Sequence, residues 1–204
     1  KKALVTGASK GIGLQIAKAL ADEGCEVALN SRGLQKLQDS LKLIPRGIAV
    51  EGDVTSPSDC KNILKKVTKE FGSIDIVVCN VGSGKSVPPG KETRESWIDM
   101  LNKNLFSTTN IVEASIEYLR QSKGNLVCVS SICGCEVIPG APVTYSASKA
   151  ALNSYIKGVS RPLAKYGIRI NGVAPGNILF EDSTWSKKIE NDKNKVEEML
   201  KANV

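Results

Sequence analysis

Histidine is absent from this chain of 204 residues. A zinc site would have to use cysteines and carboxylates alone. The six cysteines (Cys25, Cys60, Cys79, Cys128, Cys133 and Cys135) include no CxxC pair. Their spacing is wrong for structural zinc, and no metal is expected. A signal peptide and long apolar runs are also missing, so export and membrane spanning are not expected. Aromatic residues make up 4% of the sequence. Nothing pairs them with the basic residues for stacking on bases. The net charge of +7 is spread out, as at Lys61, Lys65, Lys66 and Lys69 on one predicted helix. Such a face is solvated and mildly favourable to anionic ligands; it is no nucleic-acid footprint. The first residue is Lys1, not Met, and a native start elsewhere is expected.

What is present is ordinary for a globular protein: 41% hydrophobic and 24% charged residues. That balance and the length suit a single domain, 1–204, with a sizeable core. Cys25, Cys79 and Cys128 lie in or beside predicted buried strands, where Cys acts as a small hydrophobe. Cys133-Gly-Cys135 is the only close pair. A redox role there would need an exposed, electropositive setting. Free thiols suit a reducing cytoplasm, the expected location.

Ala3-Leu-Val-Thr6 is a short apolar run, followed by Gly7-Ala-Ser9-Lys10-Gly11-Ile12-Gly13. Leu14, Ile16, Ala17, Ala19 and Leu20 then recur at helical spacing up to Gly24, a C-cap signal. Strand, glycine turn and helix together suit a phosphate-binding loop. Glycines let backbone approach a pyrophosphate, and the helix start offers free N–H groups. The spacing is GxxxGxG, not GxGxxG. Glu26–Asn30 reads as the second strand. Dinucleotide folds often place a carboxylate at its end for the ribose 2′-OH. Here Asn30 stands there, with Ser31 and Arg32 beyond and Lys10 in the glycine loop. Two cations and no carboxylate favour a 2′-phosphate, hence NADP(H) over NAD(H).

A helix over Leu34–Leu43 stops before Pro45. Ile48–Glu51 is the third strand, ahead of Gly52-Asp53-Val54. Ser56 and Pro57 open a helix to Phe71, closed by Gly72. Ile74–Cys79 is a nearly continuous apolar strand, as in a parallel sheet covered on both faces. Asn80-Val-Gly82 follows, then a loop from Ser83 to Lys91. Thr93 caps one long helix through Leu119, with Asn104, a poor helix former, in its middle. Asn125–Ser130 is the fifth strand, ending at Ser130-Ser131. A helix from Thr144 to about Ala164 contains Pro162, which should end or kink it. Ile168–Ala174 is the sixth strand, then Pro175-Gly176. Alternating strands and helices predict an α/β fold: a doubly wound, Rossmann-type parallel sheet in three layers. The polar tail 181–204 reads as one or two exposed helices forming a substrate flap.

Tyr145-Ser-Ala-Ser-Lys149 stands out within this frame. On a helix, residues four apart are neighbours. An ammonium about 4 Å from a phenol, at an effective dielectric of ~20, favours the phenolate by roughly 4 kcal/mol. That would bring a Tyr close to neutral pH, where it exchanges protons at useful rates.

The pieces Thr6-Gly-Ala-Ser-Lys-Gly-Ile-Gly13, Asp53-Val54, Asn80-Val-Gly82, Asn104, Ser130-Ser131, Tyr145-Ser-Ala-Ser-Lys149 and Pro175-Gly176 occur in order. Together they resemble the classical short-chain dehydrogenase/reductases over nearly the whole chain. The resemblance implies Tyr145 as general acid in carbonyl reduction and base in alcohol oxidation. Ser131 would bond the substrate oxygen, with Ser130 the neighbouring alternative. Lys149 would lower the Tyr145 pKa and hold the nicotinamide ribose. Asn104, on a bent backbone, would hold a water joining Lys149 to solvent. Gly7, Gly11, Ile12 and Gly13 would line the pyrophosphate, and Asp53 with the Val54 backbone would hold the adenine. Asn80 would sit under the adenosine ribose or brace the central strands, with Gly82 beside it.

Departures are visible. Cys79-Asn80-Val81-Gly82 replaces the family's Asn-Asn-Ala-Gly. Ser131 to Tyr145 is one residue longer than the commonest spacing. The Thr that often follows Pro175-Gly176 is not at its usual place, and Thr184 is too far along. The chain also stops before the family's further helix and seventh strand, which would leave an exposed sheet edge.

The expected activity is an NADP(H)-dependent carbonyl reductase or the reverse alcohol dehydrogenase, with 3-oxoacyl thioesters the first substrate class. Small-molecule carbonyl or alcohol substrates are the expected partners, without nucleic acid or membrane. A homodimer or homotetramer is expected by analogy. The alternatives are an NAD-dependent alcohol dehydrogenase and a cofactor-binding scaffold without turnover.

Overall fold

A computed structural model of the chain describes residues 1–180 and 183–202. Two compact units make it up, Lys1–Ala174 and Pro175–Val204.

The first unit holds six parallel strands: β1 (Lys2–Thr6), β2 (Glu26–Ser31), β3 (Gly47–Glu51), β4 (Ile76–Cys79), β5 (Asn125–Val129) and β6 (Arg169–Val173). Their order is β3-β2-β1-β4-β5-β6. Side chains alternate across a strand, so the register sorts each apolar run onto two faces. Leu4 pairs with Val77, and Val77 with Leu126, on one face. Val5 pairs with Leu29 and Val78 on the other. The first face packs against α3 (Pro57–Phe71), α5 (Ser107–Ser122) and α6 (Val143–Ala164), through residues such as Leu64, Ile111 and Leu152. The second packs against α1 (Gly11–Asp22) and α2 (Leu34–Leu41), through Ala17 and Leu37. This is the expected three-layer, doubly wound arrangement. Chain order reverses between β1 and β4, and ligands of such sheets bind outside the strand ends at that point.

Local signals explain the helix ends. The Ser56 hydroxyl accepts from the Asp59 N–H, and Gly72 closes α3 with φ of 77°, a left-handed value that suits glycine. One expectation is refined. The helix that Thr93 caps runs unbroken past Leu119 but is not α-helical throughout. It comprises α4 (Arg94–Leu101), a π-helical segment (Asn102–Phe106) and α5. α6 ends at Ala164, two residues beyond Pro162, where the sequence put its end. So near a helix end proline removes only one hydrogen bond, and the helix has just two more residues beyond it.

The second unit is irregular from Pro175 to Phe180, then forms α7 (Thr184–Asn191) and α8 (Lys193–Ala202). The Ser183 hydroxyl caps α7, accepting from the Ser186 N–H at 2.9 Å. Lys188 lies 4.5 Å from the centre of the Trp185 ring. Two helices agree with the reading of the tail. Glu181, Asp182, Asn203 and Val204, part of the expected flap, lie outside the described residues. Among the described residues no helix is long and apolar enough to cross a membrane.

Candidate active site

The first strand end sets up the glycine turn. Gly7 and Gly11 have φ of 64° and 56°, which side chains rarely adopt. Gly13 has no room for a side chain: a Cβ there would stand 2.5 Å from both Asn80 Nδ2 and Gly7 O. Asn80 donates through Nδ2 to the carbonyls of Thr6 (3.0 Å) and Gly7 (3.3 Å), and its N–H donates to Thr6 Oγ1 (2.9 Å). Of its two sequence roles, bracing β1 against β4 is the one these bonds perform. Ile12 follows at the start of α1, and Lys10, extended at the N-cap, is exposed. The Ser9 carbonyl accepts from the Ser40 hydroxyl at 3.0 Å.

The ends of β2 and β3 form the next part. Asn30 is buried and donates to the carbonyls of Val50 (3.0 Å) and Gly52 (3.1 Å). It ties the two strands together. Ser31 and Gly33 bond each other across the turn that presents Arg32. The Arg32 guanidinium is 78% exposed and 3.8 Å from the Asp53 carboxylate. A pair so exposed is worth at most about 1 kcal/mol. The other Asp53 oxygen accepts from the Thr55 N–H and hydroxyl at 2.9 and 2.8 Å. Val54 is buried, and its carbonyl accepts from Asn110 Nδ2 at 3.3 Å. A cleft of about 710 Å³ opens here, lined in part by Arg32, Asp53, Asn62, Lys65 and Lys66.

The ends of β4 and β5 meet α6. Lys149 is 3% exposed, and its ammonium donates to the Val129 carbonyl at 2.8 Å. Gly82 passes beside it. A Cβ on Gly82 would stand 3.1 Å from Lys149 Nζ and 2.8 Å from Asn104 Oδ1. Asn104 lies in the π segment. Its Oδ1 accepts from the Ser83 N–H (2.9 Å), and its Nδ2 donates to the carbonyls of Ser83 and Met100 (3.1 Å each). The loop after β4 is thereby fastened, and a second latch joins Ser86 and Thr144 through their hydroxyls at 2.7 Å. Gly84 of this loop faces the Tyr145 ring. Ser131 lies two residues beyond β5 in extended backbone, and its hydroxyl accepts from the Cys133 N–H at 3.2 Å.

The charges correct one expectation. Burial pushes the Tyr145 phenol above its ordinary value; a hydrogen bond with Ser131 pulls it down, and Cys133 opposes the phenolate. Helical spacing predicted a phenol lowered by Lys149. Burial outweighs the bond from Ser131, and the Lys149 ammonium is bonded to the Val129 carbonyl. Burial lowers Lys149 itself to about 8. The sequence reading missed Asn110, Asn153 and the Ser86–Thr144 latch. Their partners are far away in sequence, so no local pattern marked them. Pro175 and Gly176 open the second unit, in the irregular stretch before α7.

A doubly wound parallel sheet, a glycine turn after its first strand and a Tyr–Lys helix beside its fifth define a class of nucleotide-dependent oxidoreductases. The short chain dehydrogenase family profile matches residues 1–193. The chain is 35% identical over 187 residues to 3-oxoacyl-[acyl-carrier-protein] reductase FabG of Staphylococcus aureus (strain Mu50 / ATCC 700699), covering 89% of this chain and 76% of that one. It resembles the crystal structure of a 3-ketoacyl-ACP reductase from Sinorhizobium meliloti 1021, with a TM-score of 0.82 and 31% identity, covering 90% of this chain and 76% of that one. It also resembles the structure of an alcohol dehydrogenase from the archaeon Thermococcus sibiricus complexed with 5-hydroxy-NADP, with a TM-score of 0.81 and 27% identity, covering 87% and 77%. The chain belongs to the short chain dehydrogenase family. As such it is an oxidoreductase, and hydride transfer with a nicotinamide cofactor is the family's chemistry.

Proposed function

We propose that this chain is an NADP(H)-dependent carbonyl reductase, or the reverse alcohol dehydrogenase, with 3-oxoacyl thioesters the first substrate class to try. The observation that carries the reading is the gathering of Tyr145, Ser131, Lys149 and Asn104 at the ends of β4 and β5, beside the glycine turn. The residues fit the cofactor. Gly13 leaves backbone bare where a Cβ would collide, so Gly7, Gly11, Ile12 and Gly13 offer N–H groups to a pyrophosphate. Asp53 and Val54 serve the adenine. Lys10, Ser31 and Arg32 serve a 2′-phosphate, since the position near the end of β2 where a carboxylate would hold a 2′-OH is Asn30, which spends its amide on the carbonyls of Val50 and Gly52. The S. aureus and S. meliloti relatives support the thioester class.

Bound nicotinamide supplies or accepts the hydride. The protein handles the proton. Tyr145 donates it to the carbonyl oxygen in reduction, and Ser131 bonds the same oxygen and fixes its place. A phenol raised by burial is protonated at neutral pH, which suits the reductive direction. Lys149, 3% exposed, holds the ribose end, and the π segment around Asn104 supports a water route from Lys149 to solvent.

Tyr145→Phe tests the reading. Fluorescence titration is expected to show unchanged NADPH binding, while turnover of a 3-oxoacyl thioester falls by about 10²- to 10⁴-fold. Near-normal turnover in the variant would remove Tyr145 from the chemistry.

A further inference from the structure

The segment from Ser130 to Cys135 connects β5 to the loop ahead of α6 and contains Ser131. One side chain outside the proposed catalytic set grips both of its ends. Asn153 lies on α6, one turn beyond Lys149 and two turns beyond Tyr145. Its Oδ1 accepts from the Ser130 hydroxyl at 2.6 Å. Its Nδ2 donates to the Gly134 carbonyl at 3.0 Å and to Cys135 Sγ at 3.6 Å.

Ser131 sits between these two anchors. Its carbonyl accepts from the Gly134 N–H at 2.9 Å, and its hydroxyl from the Cys133 N–H at 3.2 Å. The position of its Oγ therefore follows the turn Ile132–Gly134. That turn is pressed onto α6 at Lys149, where a Cβ on Gly134 would stand 2.6 Å from the Lys149 carbonyl carbon. The amide of Asn153 adds a directional tie at each end of the segment. A planar amide offers an acceptor and two donors in fixed geometry. Both are used here, on groups either side of one serine.

We infer that Asn153 is a positioning residue for the proposed reaction, clamping Ser130 and Gly134 so that the Ser131 hydroxyl stays registered on Tyr145. The inference rests on the reading given under Proposed function. Asn153 touches neither the substrate oxygen nor the proton donor and acts through Ser131.

The test compares wild type, Asn153→Ala and Asn153→Asp, which keeps the acceptor for Ser130 and loses the donors for Gly134. Misplacing a reacting group by about 1 Å costs on the order of 10²-fold. A drop in kcat of about 10- to 100-fold is expected for Asn153→Ala, with the NADPH KM unchanged. Asn153→Asp should fall between the two. The ascending limb of the pH–rate profile of alcohol oxidation, where Tyr145 must lose its proton to act as base, should move to higher pH, because Tyr145 loses the downward pull of Ser131. A lower melting temperature with kcat and the limb unmoved would make Asn153 merely structural and overturn the inference. If wild type turns over no carbonyl or alcohol, the proposed function fails by itself. The clamp is then read by the ultraviolet phenolate titration of Tyr145, taken as the difference from Tyr145→Phe. An upward shift in Asn153→Ala, or in Asn153→Asp should the alanine variant not fold, sustains the inference. An unmoved titration overturns it.

Discussion

Lys149 carries its ammonium into a buried place where the partner is a backbone carbonyl, not a carboxylate. Burial lowers its pKa from 10.5 to about 8. Below pH 8 the folded and unfolded chains both hold the proton, and the folded one bears the whole penalty, roughly 3 kcal/mol. Between about 8 and 10.5 the unfolded chain binds more protons, so this residue makes stability rise with pH. Lys149→Met keeps the volume and removes the charge. Unfolding at pH 7 is expected to cost about 1–3 kcal/mol more in the variant, after allowing for the lost bond to Val129. That gain should fade as pH climbs through 8 towards 10.5, while turnover is lost. Urea melts at pH 7 and pH 10 measure it; a gain that ignores pH would sink the desolvation account. The Tyr145–Lys149 spacing was legible in the sequence. The direction of the ammonium was not, because Val129, twenty residues back, decides it.

The elements were legible wherever a local signal fixed them. Ser56 and Gly72 bracket α3 in sequence and in structure. The irregularity at Asn104 was legible as a poor helix former and, through the family resemblance, as a special backbone position. In the structure the Asn104 side chain bonds Ser83 in another loop, a partner that no local pattern marks. Glycines show the same division between local and distant causes. At Gly13 a Cβ would stand 2.5 Å from Asn80 Nδ2 and Gly7 O, and at Gly158, inside α6, it meets nothing within 4 Å. Gly13→Ala is expected to lower stability by about 1–3 kcal/mol, as overpacking does, and to abolish NADPH binding by opening the turn. Gly158→Ala should raise stability by roughly 0.5–1 kcal/mol. Thermal melts of both variants check the pair; equal effects would mean that the crowding at Gly13 relaxes freely.

For the whole molecule, strand–helix alternation sufficed to predict a doubly wound parallel sheet, because each apolar strand must be covered on both faces. The ties that hold the site, from Asn110 to Val54 and from Asn153 to Gly134, join distant segments and carry no sequence period. Cofactor choice belongs to this scale too, since binding to the folded state alone raises the stability of the entire fold. At a ligand concentration 100 times Kd that rise is about 2.7 kcal/mol, or roughly 5–10 °C for a chain of this size. NADPH is expected to give such a shift and NADH a smaller one. Arg32, 78% exposed and only loosely paired with Asp53, is free to turn to a 2′-phosphate. In Arg32→Ala the NADPH shift should fall to the NADH value, and the NADH shift should not move. If both shifts fall together, Arg32 serves the adenosine without regard to its phosphate, and the assignment of NADP over NAD loses its basis.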